Sequence, residues 1–137
     1  MILVDTGPLV ALFDPQDPDF AGCHAVLSGL DQPLYTTDAV LTDAFHLLAP
    51  ASRGAEGLMR FVAERYVALI GLEHADHLRA FELMAQYADR PMDYADGSVV
   101  VVAERLETLQ VFTLDTGDFA TCQIKKGQRY YSPIIVG

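Results

Sequence analysis

The sequence predicts an α/β fold, in which a mostly parallel β-sheet carries helices on both faces. Short apolar segments alternate along the chain with segments of ten or more residues that have helical periodicity. No apolar segment approaches the roughly 20 residues that a membrane span requires, so the apolar segments are expected in a folded core. The length suits one domain, and we expect residues 1–137 to form a single one.

The individual elements follow from two patterns. Strands are predicted where β-branched and aliphatic residues cluster, and helices where apolar residues lie three and four positions apart. The predicted strands are residues 2–4, 34–36, 67–70 and 111–114, with a last short strand within residues 129–136. The predicted helices are a short one opened by Gly7-Pro8, residues 20–30, a helix capped by Thr37 or Asp38 that ends near residue 48, and residues 54–65, 74–87 and 94–107. The last helix contains four consecutive valines, and its length favours a helix over a strand.

The composition is that of a globular enzyme, but the charge is strongly acidic. Nine Lys and Arg residues stand against nineteen Asp and Glu residues, which gives a formal net charge of −10. Because phosphate contacts need Lys and Arg, this balance argues against tight, nonspecific binding of nucleic acid. The N-terminus lacks the basic region of a signal peptide, so we expect a cytoplasmic protein with Cys23 and Cys122 reduced.

Four aspartates that lie far apart in the sequence are predicted to meet at one edge of the sheet. Asp5 and Asp115 each directly follow a predicted strand, and parallel strands all end at the same edge. Asp43 lies in the helix that follows the second strand, and Asp96 lies in the first turn of the valine-rich helix. Helices that follow strands begin at that edge too. The candidate catalytic residues are therefore Asp5, Asp43, Asp96 and Asp115.

Such a cluster would need a cation. Two carboxylates about 4 Å apart repel by roughly 1 kcal/mol in water and about 4 kcal/mol at an effective dielectric constant of 20. A helix N-terminus offsets only about 0.3–1 kcal/mol per charge. Ligand sets made only of oxygen favour Mg²⁺ or Mn²⁺, and no His or Cys cluster has zinc spacing. Each aspartate also has a structural explanation as a turn or cap residue, and Asp93 is better explained as a helix cap.

The segments around these aspartates resemble the motifs of the PIN domain. The segments are ILVDTG (2–7), LTDA (41–44), PMDYADG (91–97) and FTLDTGDF (112–119), and they follow in order over essentially the whole chain. The ordered set is more specific than any one of them. The similarity is closest to the VapC-type toxin ribonucleases of bacterial and archaeal toxin–antitoxin pairs.

The resemblance implies a three-layer α/β/α sandwich, a homodimer, RNA as the substrate and a small antitoxin that blocks the active site. It also implies that Asp5, Asp96 and Asp115 bind a Mg²⁺ or Mn²⁺ ion. Asp43 takes the position of a second acid, which is usually glutamate in this family. The aspartate is one methylene shorter, which favours contact with the metal through a water molecule.

Several nearby residues have less specific interpretations. Thr6 and Thr113 are candidates to hold the carboxylates by hydrogen bonds, or simply fill a strand end. The densest basic run consists of Lys125, Lys126 and Arg129, and a solvated tail explains it better than an RNA contact does. We expect weak RNA binding and assign no role to the four histidines.

Three rival functions remain at this point. Asp5-Thr6-Gly7 and Asp115-Thr116-Gly117 match the short signature of aspartic proteases, but those enzymes are all-β proteins. A phosphohydrolase with an aspartyl nucleophile usually has a second aspartate at the position of Gly7. The third rival is a PIN-like interaction module that has lost catalysis through the aspartate at position 43.

Overall fold

A five-stranded parallel sheet organises the part of the chain that the computed structural model describes, residues 1–89, 92–114, 124–126, 129–131 and 134–136. The strands are β1 (Ile2–Val4), β2 (Leu34–Thr37), β3 (Val67–Ile70), β4 (Gln110–Phe112), β5 (Ile124–Lys126), β6 (Arg129–Tyr131) and β7 (Ile134–Val136). The helices are α1 (Thr6–Phe13), α2 (Phe20–Gly29), α3 (Asp38–Leu48), α4 (Arg53–Ala63), α5 (His74–Gln86) and α6 (Tyr94–Leu106).

The topology of the sheet places the first strand at its centre. The strand order is β3-β2-β1-β4-β7, and every neighbouring pair is parallel. Leu3 of β1 lies opposite Tyr35 on one side and Val111 on the other. Strands β5 and β6 form a separate antiparallel pair. The carboxyl ends of all five parallel strands therefore share one edge, which we call the carboxyl edge.

The predicted fold class, a mostly parallel sheet flanked by helices, is confirmed. The structure corrects two details near the C-terminus. The strand predicted over residues 111–114 ends at Phe112, because Thr113 uses its side chain in a hydrogen bond to Asp5 and Leu114 is 40% exposed. The C-terminal region also holds three strands where one was predicted, because each has only three residues and no periodicity can be recognised over so short a length.

Helix α6 is the most deeply buried helix in the described part of the chain. Its residues from Gly97 to Ala103 are all buried, as expected for the valine-rich helix. It packs against α5, and it also contacts β1, β2 and α3. At Gly97 the two helices come close, since a Cβ there would lie 3.4 Å from the carbonyl oxygen of Ala80. This packing fixes the start of α6 beside the ends of β1 and β2.

Helices α1, α2, α3 and α4 form a second packed group, in which α1 contacts each of the other three. The contact between α1 and α4 depends on glycine. A Cβ added at Gly54 would lie 2.7 Å from the carbonyl oxygen of Phe13, which is closer than real Cβ atoms come to a backbone atom.

The helices and the sheet bear on two expectations from the sequence, the absence of a membrane span and the rival function of an aspartic protease. None of the helices in the described part of the chain is both long and apolar enough to cross a membrane. A parallel sheet with six helices is also incompatible with the all-β fold of aspartic proteases, so that rival function is excluded.

Candidate functional site

Within the described residues, the buried polar side chains gather at the carboxyl edge of the sheet. Asp5 follows β1, Thr113 follows β4, and the other three lie at the end of β2 or near the start of α6. These residues are Asp5, Thr36, Thr37, Ser98 and Thr113, and each is at most 6% exposed. A buried polar group is costly unless it is hydrogen-bonded. Such a concentration therefore points to a site built for function at this edge.

Asp5 is held in place by its neighbours on β4. Its backbone N–H donates to the carbonyl of Phe112 over 2.9 Å, which extends the pairing of β1 with β4 by one residue. The hydroxyl of Thr113 donates to Asp5 Oδ2 over 2.9 Å. The hydrogen bond expected for Thr113 is thus confirmed, whereas Thr6 forms the first residue of α1 and is only partly buried. The Asp5 carboxylate has a fixed orientation at the N-terminus of α1.

Asp96 is fixed by a reciprocal capping arrangement at the start of α6. Asp93 Oδ1 accepts from the N–H of Asp96 over 2.8 Å, and Asp96 Oδ2 accepts from the N–H of Asp93 over 3.2 Å. This is a capping box, and it confirms the prediction that Asp93 caps the helix. One oxygen of the candidate ligand Asp96 therefore has a structural role as well.

A chain of hydroxyl hydrogen bonds connects α3 with the start of α6. The N–H of Val40 donates to Thr37 Oγ1 over 3.2 Å, and Ser98 Oγ donates to the carbonyl of Ala95 over 2.6 Å. The Thr37 and Ser98 hydroxyls lie 2.7 Å apart, so Thr37 is the donor to Ser98. Thr37 is thus the cap of α3, one of the two residues predicted for that role. The chain fixes the position of Asp96, which lies between Ala95 and Ser98.

Asp5 and Asp96 interact electrostatically across the carboxyl edge. The pKa of Asp96 is raised from 3.8 to about 8, first by burial, then by the negative charge of Asp5 and then by that of Asp93. Repulsion of this kind requires that the carboxylates be close, since water and salt screen distant charges. The structure therefore brings together Asp5 and Asp96, two of the four aspartates predicted to converge.

Asp43 lies a short way along α3, at a groove between α3 and the start of α6. The groove has a volume of about 440 Å³ and is lined by Ala39, Thr42, Asp43, Asp93, Tyr94 and Ala95. Burial and the charge of Asp93 raise the pKa of Asp43, and His46 opposes them. The charge interactions that shift the pKa of Asp43 are thus with Asp93 and His46, and Asp93 also interacts with Asp96.

The remaining predicted residues lie mostly outside the described part. Asp115 is outside it, and so are the side chains of Lys126 and Arg129. Lys125 is exposed on β5, and its backbone N–H donates to Glu104 Oε2 over 3.0 Å. Among the described residues, no group of three or more His, Cys, Asp and Glu side chains is arranged to hold a metal ion.

The sequence analysis missed an interaction between His77 and Tyr94 at the same groove. The Tyr94 hydroxyl is hydrogen-bonded to His77 Nδ1, and the two rings stack at 18° with centroids 6.0 Å apart. Burial, and then the charge of Asp76, raise the pKa of Tyr94, so the phenol is neutral at neutral pH. Tyr94 lies between the two aspartates of the PMDYADG segment, but only the packing of α5 on α6 brings it to His77.

Comparison with known proteins adds a sequence relative. No protein-family model matches the chain. The chain is 27% identical over 131 residues to Ribonuclease VapC26 of Mycobacterium tuberculosis, strain ATCC 25618 / H37Rv, and the match covers 94% of this chain and 97% of the relative. The match therefore extends over nearly the full length of both proteins.

Solved structures of low sequence identity share the fold. The crystal structure of Mycobacterium tuberculosis VapC20, described as a toxin that cleaves the sarcin-ricin loop, is similar with a TM-score of 0.78 at 17% identity, over 85% of this chain and 92% of that one. FitAcB from Neisseria gonorrhoeae is similar with a TM-score of 0.60 at 22% identity, over 87% and 91% of the two chains. The resemblance to the VapC-type PIN domain, predicted from four acidic segments, is thus confirmed in sequence and in fold.

Proposed function

We propose that this protein is a Mg²⁺- or Mn²⁺-dependent endoribonuclease that acts as the toxin of a type II toxin–antitoxin pair. The observation that carries the proposal is the pair of Asp5 and Asp96, in which burial, and then the negative charge of Asp5, raise the pKa of Asp96 to about 8. Strongly shifted carboxylates are a common property of active sites, because the fold must hold them against their repulsion. The name of the similar sequence, Ribonuclease VapC26, supports RNA as the substrate.

The residues present fit a hard divalent cation. Asp5 and Asp96 offer carboxylate oxygens, and a positive ion between them would offset the repulsion that raises the pKa of Asp96. We propose Asp5, Asp96 and Asp115 as the residues that hold this ion, with Asp43 as the fourth acid of the site. When bound, the cation would supply Lewis acidity at the phosphate and lower the pKa of a water molecule.

The chain's own groups would position the substrate and move the proton. Thr113 keeps the Asp5 carboxylate in one orientation, and the capping box does the same for Asp96. The N-termini of α1 and α6 lie at this edge, and their dipoles favour the negative charge of a phosphate. The raised pKa of Asp43 makes its carboxylate a stronger base, which suits a proton acceptor in hydrolysis.

The proposed partners follow from the same resemblance. A small antitoxin would block the site, and the net charge of −10 suits a basic segment on such a partner. We further propose that the protein acts in the cytoplasm as a homodimer.

The proposal is tested by conservative substitution of the two carboxylates. Asp5→Asn and Asp96→Asn should each lower Mn²⁺-dependent cleavage of a mixed RNA pool by at least about 100-fold, because each removes a charge that the cation needs. Mn²⁺ should also raise the melting temperature of the wild type and not of either variant. Asp31→Asn is the matched control, since Asp31 is exposed and precedes β2 at the opposite edge of the sheet. Full turnover in either site variant would contradict the assignment.

An interaction module without catalysis is the second candidate, and the placement of Asp43 is what favours it. Its charge neighbours are Asp93 and His46, and its side chain is shorter than the glutamate of the family. A module would bind Mn²⁺ without cleaving RNA. The variant Asp43→Glu would separate the two possibilities, because a longer side chain should restore cleavage only if the remaining site is functional.

A further inference from the structure

A surface of three rings lies directly beside the groove of the candidate site. We call it the aromatic surface, and it consists of His77 and Phe81 of α5 and Tyr94 of α6. The Phe81 and Tyr94 ring centroids are 6.0 Å apart at an interplanar angle of 49°, and His77 stacks on Tyr94 from α5. Tyr94 also lines the groove that holds Asp43 and Asp93. The aromatic surface is therefore continuous with the acidic groove.

The packing of α5 does not require an aromatic residue at position 81. Helix α5 is anchored on α6 through other residues, among them Ala80 and Leu83, which are at most 1% exposed. Phe81 is 53% exposed, and Leu78 one turn away is 49% exposed. Apolar side chains grouped on a surface are typical of places that bind another molecule.

We propose that the aromatic surface binds an unpaired base of the RNA substrate, which stacks on Phe81 and Tyr94 next to the cleaved phosphate. This inference rests on the proposed ribonuclease function and names the part of the site that recognises the nucleotide. Aromatic rings bind single-stranded RNA by stacking, and they do so for every base because every base has a π face.

The charge around the groove favours a base over the other parts of an RNA. The described groove residues include two aspartates and no Lys or Arg, so a phosphate has no cationic partner there. A base is neutral and tolerates an acidic rim. A second copy of this chain docked symmetrically on this surface would bring its own Asp43 and Asp93 towards that rim, which opposes a dimer contact at this place.

His77 acts as a positioning residue in this arrangement. Its ring stacks on Tyr94, and its Nδ1 is hydrogen-bonded to the Tyr94 hydroxyl, so the Tyr94 ring has a fixed angle at the wall of the groove. A fixed ring loses little conformational freedom when a base stacks on it.

The test compares substrates with and without the base. Short single-stranded RNAs that the wild type cleaves would be made with one abasic site at each position near the cleaved bond. Phe81→Ala should raise KM about 10-fold for the complete RNA and leave kcat within a factor of two to three. For the RNA that lacks the stacked base, Phe81→Ala and the wild type should have the same KM. Tyr94→Phe keeps the ring but loses the hydrogen bond to His77, so it should raise KM less than Tyr94→Ala does, and neither should change KM for the RNA that lacks the stacked base.

A matched control and a second measurement separate the outcomes. Tyr66→Ala removes another exposed ring, 63% exposed and just before β3 at the opposite edge, and should leave KM unchanged. An equal loss for Phe81→Ala on complete and abasic RNA would overturn the proposal. Sedimentation velocity would overturn it too, if Phe81→Ala turned a dimer into a monomer, because the surface would then join two copies.

Failure of the ribonuclease proposal would be seen separately. If the wild type cleaved no RNA with Mn²⁺, that function would be contradicted, while stacking could still be measured. Fluorescence anisotropy of short single-stranded RNAs, complete and with one abasic site, gives their dissociation constants in EDTA. A 10-fold higher dissociation constant of Phe81→Ala than of the wild type for the complete RNA, with no difference for the abasic RNA, would support the inference. Equal dissociation constants of the two proteins for the complete RNA would contradict it.

Discussion

Asp96 takes part in two interactions, the capping box at the start of α6 and the electrostatic interaction with Asp5. Its Oδ2 accepts the N–H of Asp93 in the capping box, while the charge of Asp5 opposes its ionisation. The capping hydrogen bonds hold the side chain in place, so it cannot turn away from Asp5 to reduce the repulsion. The fold thus keeps two carboxylates together that would separate if either were free to move.

The raised pKa of Asp96 predicts a specific pH dependence of stability. The pKa is about 8 in the folded protein against an ordinary value of 3.8, so the folded state holds a proton that the unfolded state has released between these values. The contribution of Asp96 to stability is therefore fully present below pH 4 and is lost as the pH rises towards 8. In EDTA, Asp96→Asn should be more stable than the wild type at pH 8 by about 1–3 kcal/mol.

Urea denaturation at pH 4.5 and pH 8 measures this effect. The difference in the free energy of unfolding between Asp96→Asn and the wild type should be small at pH 4.5 and larger at pH 8. Asp31→Asn, at an exposed position, should show no such growth. A constant difference across the range would contradict the raised pKa of Asp96.

At the scale of residues, the sequence predicts side chains whose place depends on one element only. Asp5 follows a strand and Asp96 lies in the first turn of a helix, so the strand and helix patterns were enough to bring both to one edge. The contacts of Ser98 with Thr37 and of His77 with Tyr94 depend on how two elements pack against each other. No periodicity along the chain reports the packing of separate helices.

At the scale of elements, the structure shows where a helix contact has no room for a side chain. Gly54 in α4 faces the end of α1, where a Cβ would lie 2.7 Å from the carbonyl oxygen of Phe13 and 3.0 Å from a methyl group of Leu48. The backbone atom cannot move without moving α1. Because α1 begins directly after Asp5, the spacing of α1 and α4 also bears on the site.

Two glycine substitutions of the same kind should therefore have opposite effects. Gly54→Ala should lower the free energy of unfolding by about 1–3 kcal/mol, because α1 and α4 must separate. Gly22→Ala in α2 should raise it by about 0.5–1 kcal/mol, because no described atom lies within 4 Å of a Cβ there and alanine restricts the unfolded chain. Chemical denaturation of both variants checks the prediction. Equal changes would show that α1 and α4 can adjust freely.

Most elements were predictable because they are long or strongly apolar. The valine-rich segment was assigned correctly as a helix from its length, and its nearly complete burial explains why its polar residues show no clear face. Strand β5 was not predicted, and only one strand was predicted in the range that holds both β6 and β7, since residues such as Lys125 and Tyr130 carry no apolar alternation. The partner strand, and not the local sequence, determines such a pairing.

At the scale of the whole molecule, the net charge of −10 opposes the compact state. Salt shortens the range of this repulsion, with a Debye length of about 10 Å at 0.1 M and about 3 Å at 1 M. The melting temperature should therefore rise by a few degrees from low to high NaCl concentration. The ion pairs that salt would weaken, such as Arg79 with Glu82, are partly exposed and contribute little.

Calorimetry at several NaCl concentrations, in EDTA, tests this prediction. Glu64→Lys brings the net charge closer to zero at an exposed position, and it should show a higher melting temperature at low salt and a smaller rise. A melting temperature that falls with salt would show that attractive ion pairs outweigh the overall repulsion.

The hydrogen bond from Thr113 to Asp5 joins residues 108 positions apart. During translation, the first strand leaves the ribosome long before its neighbour β4 has been made. A nascent chain that ends before Thr113 therefore has the first carboxylate without the hydroxyl that orients it. If the proposed activity is correct, the candidate site is therefore complete only after β4 has been made.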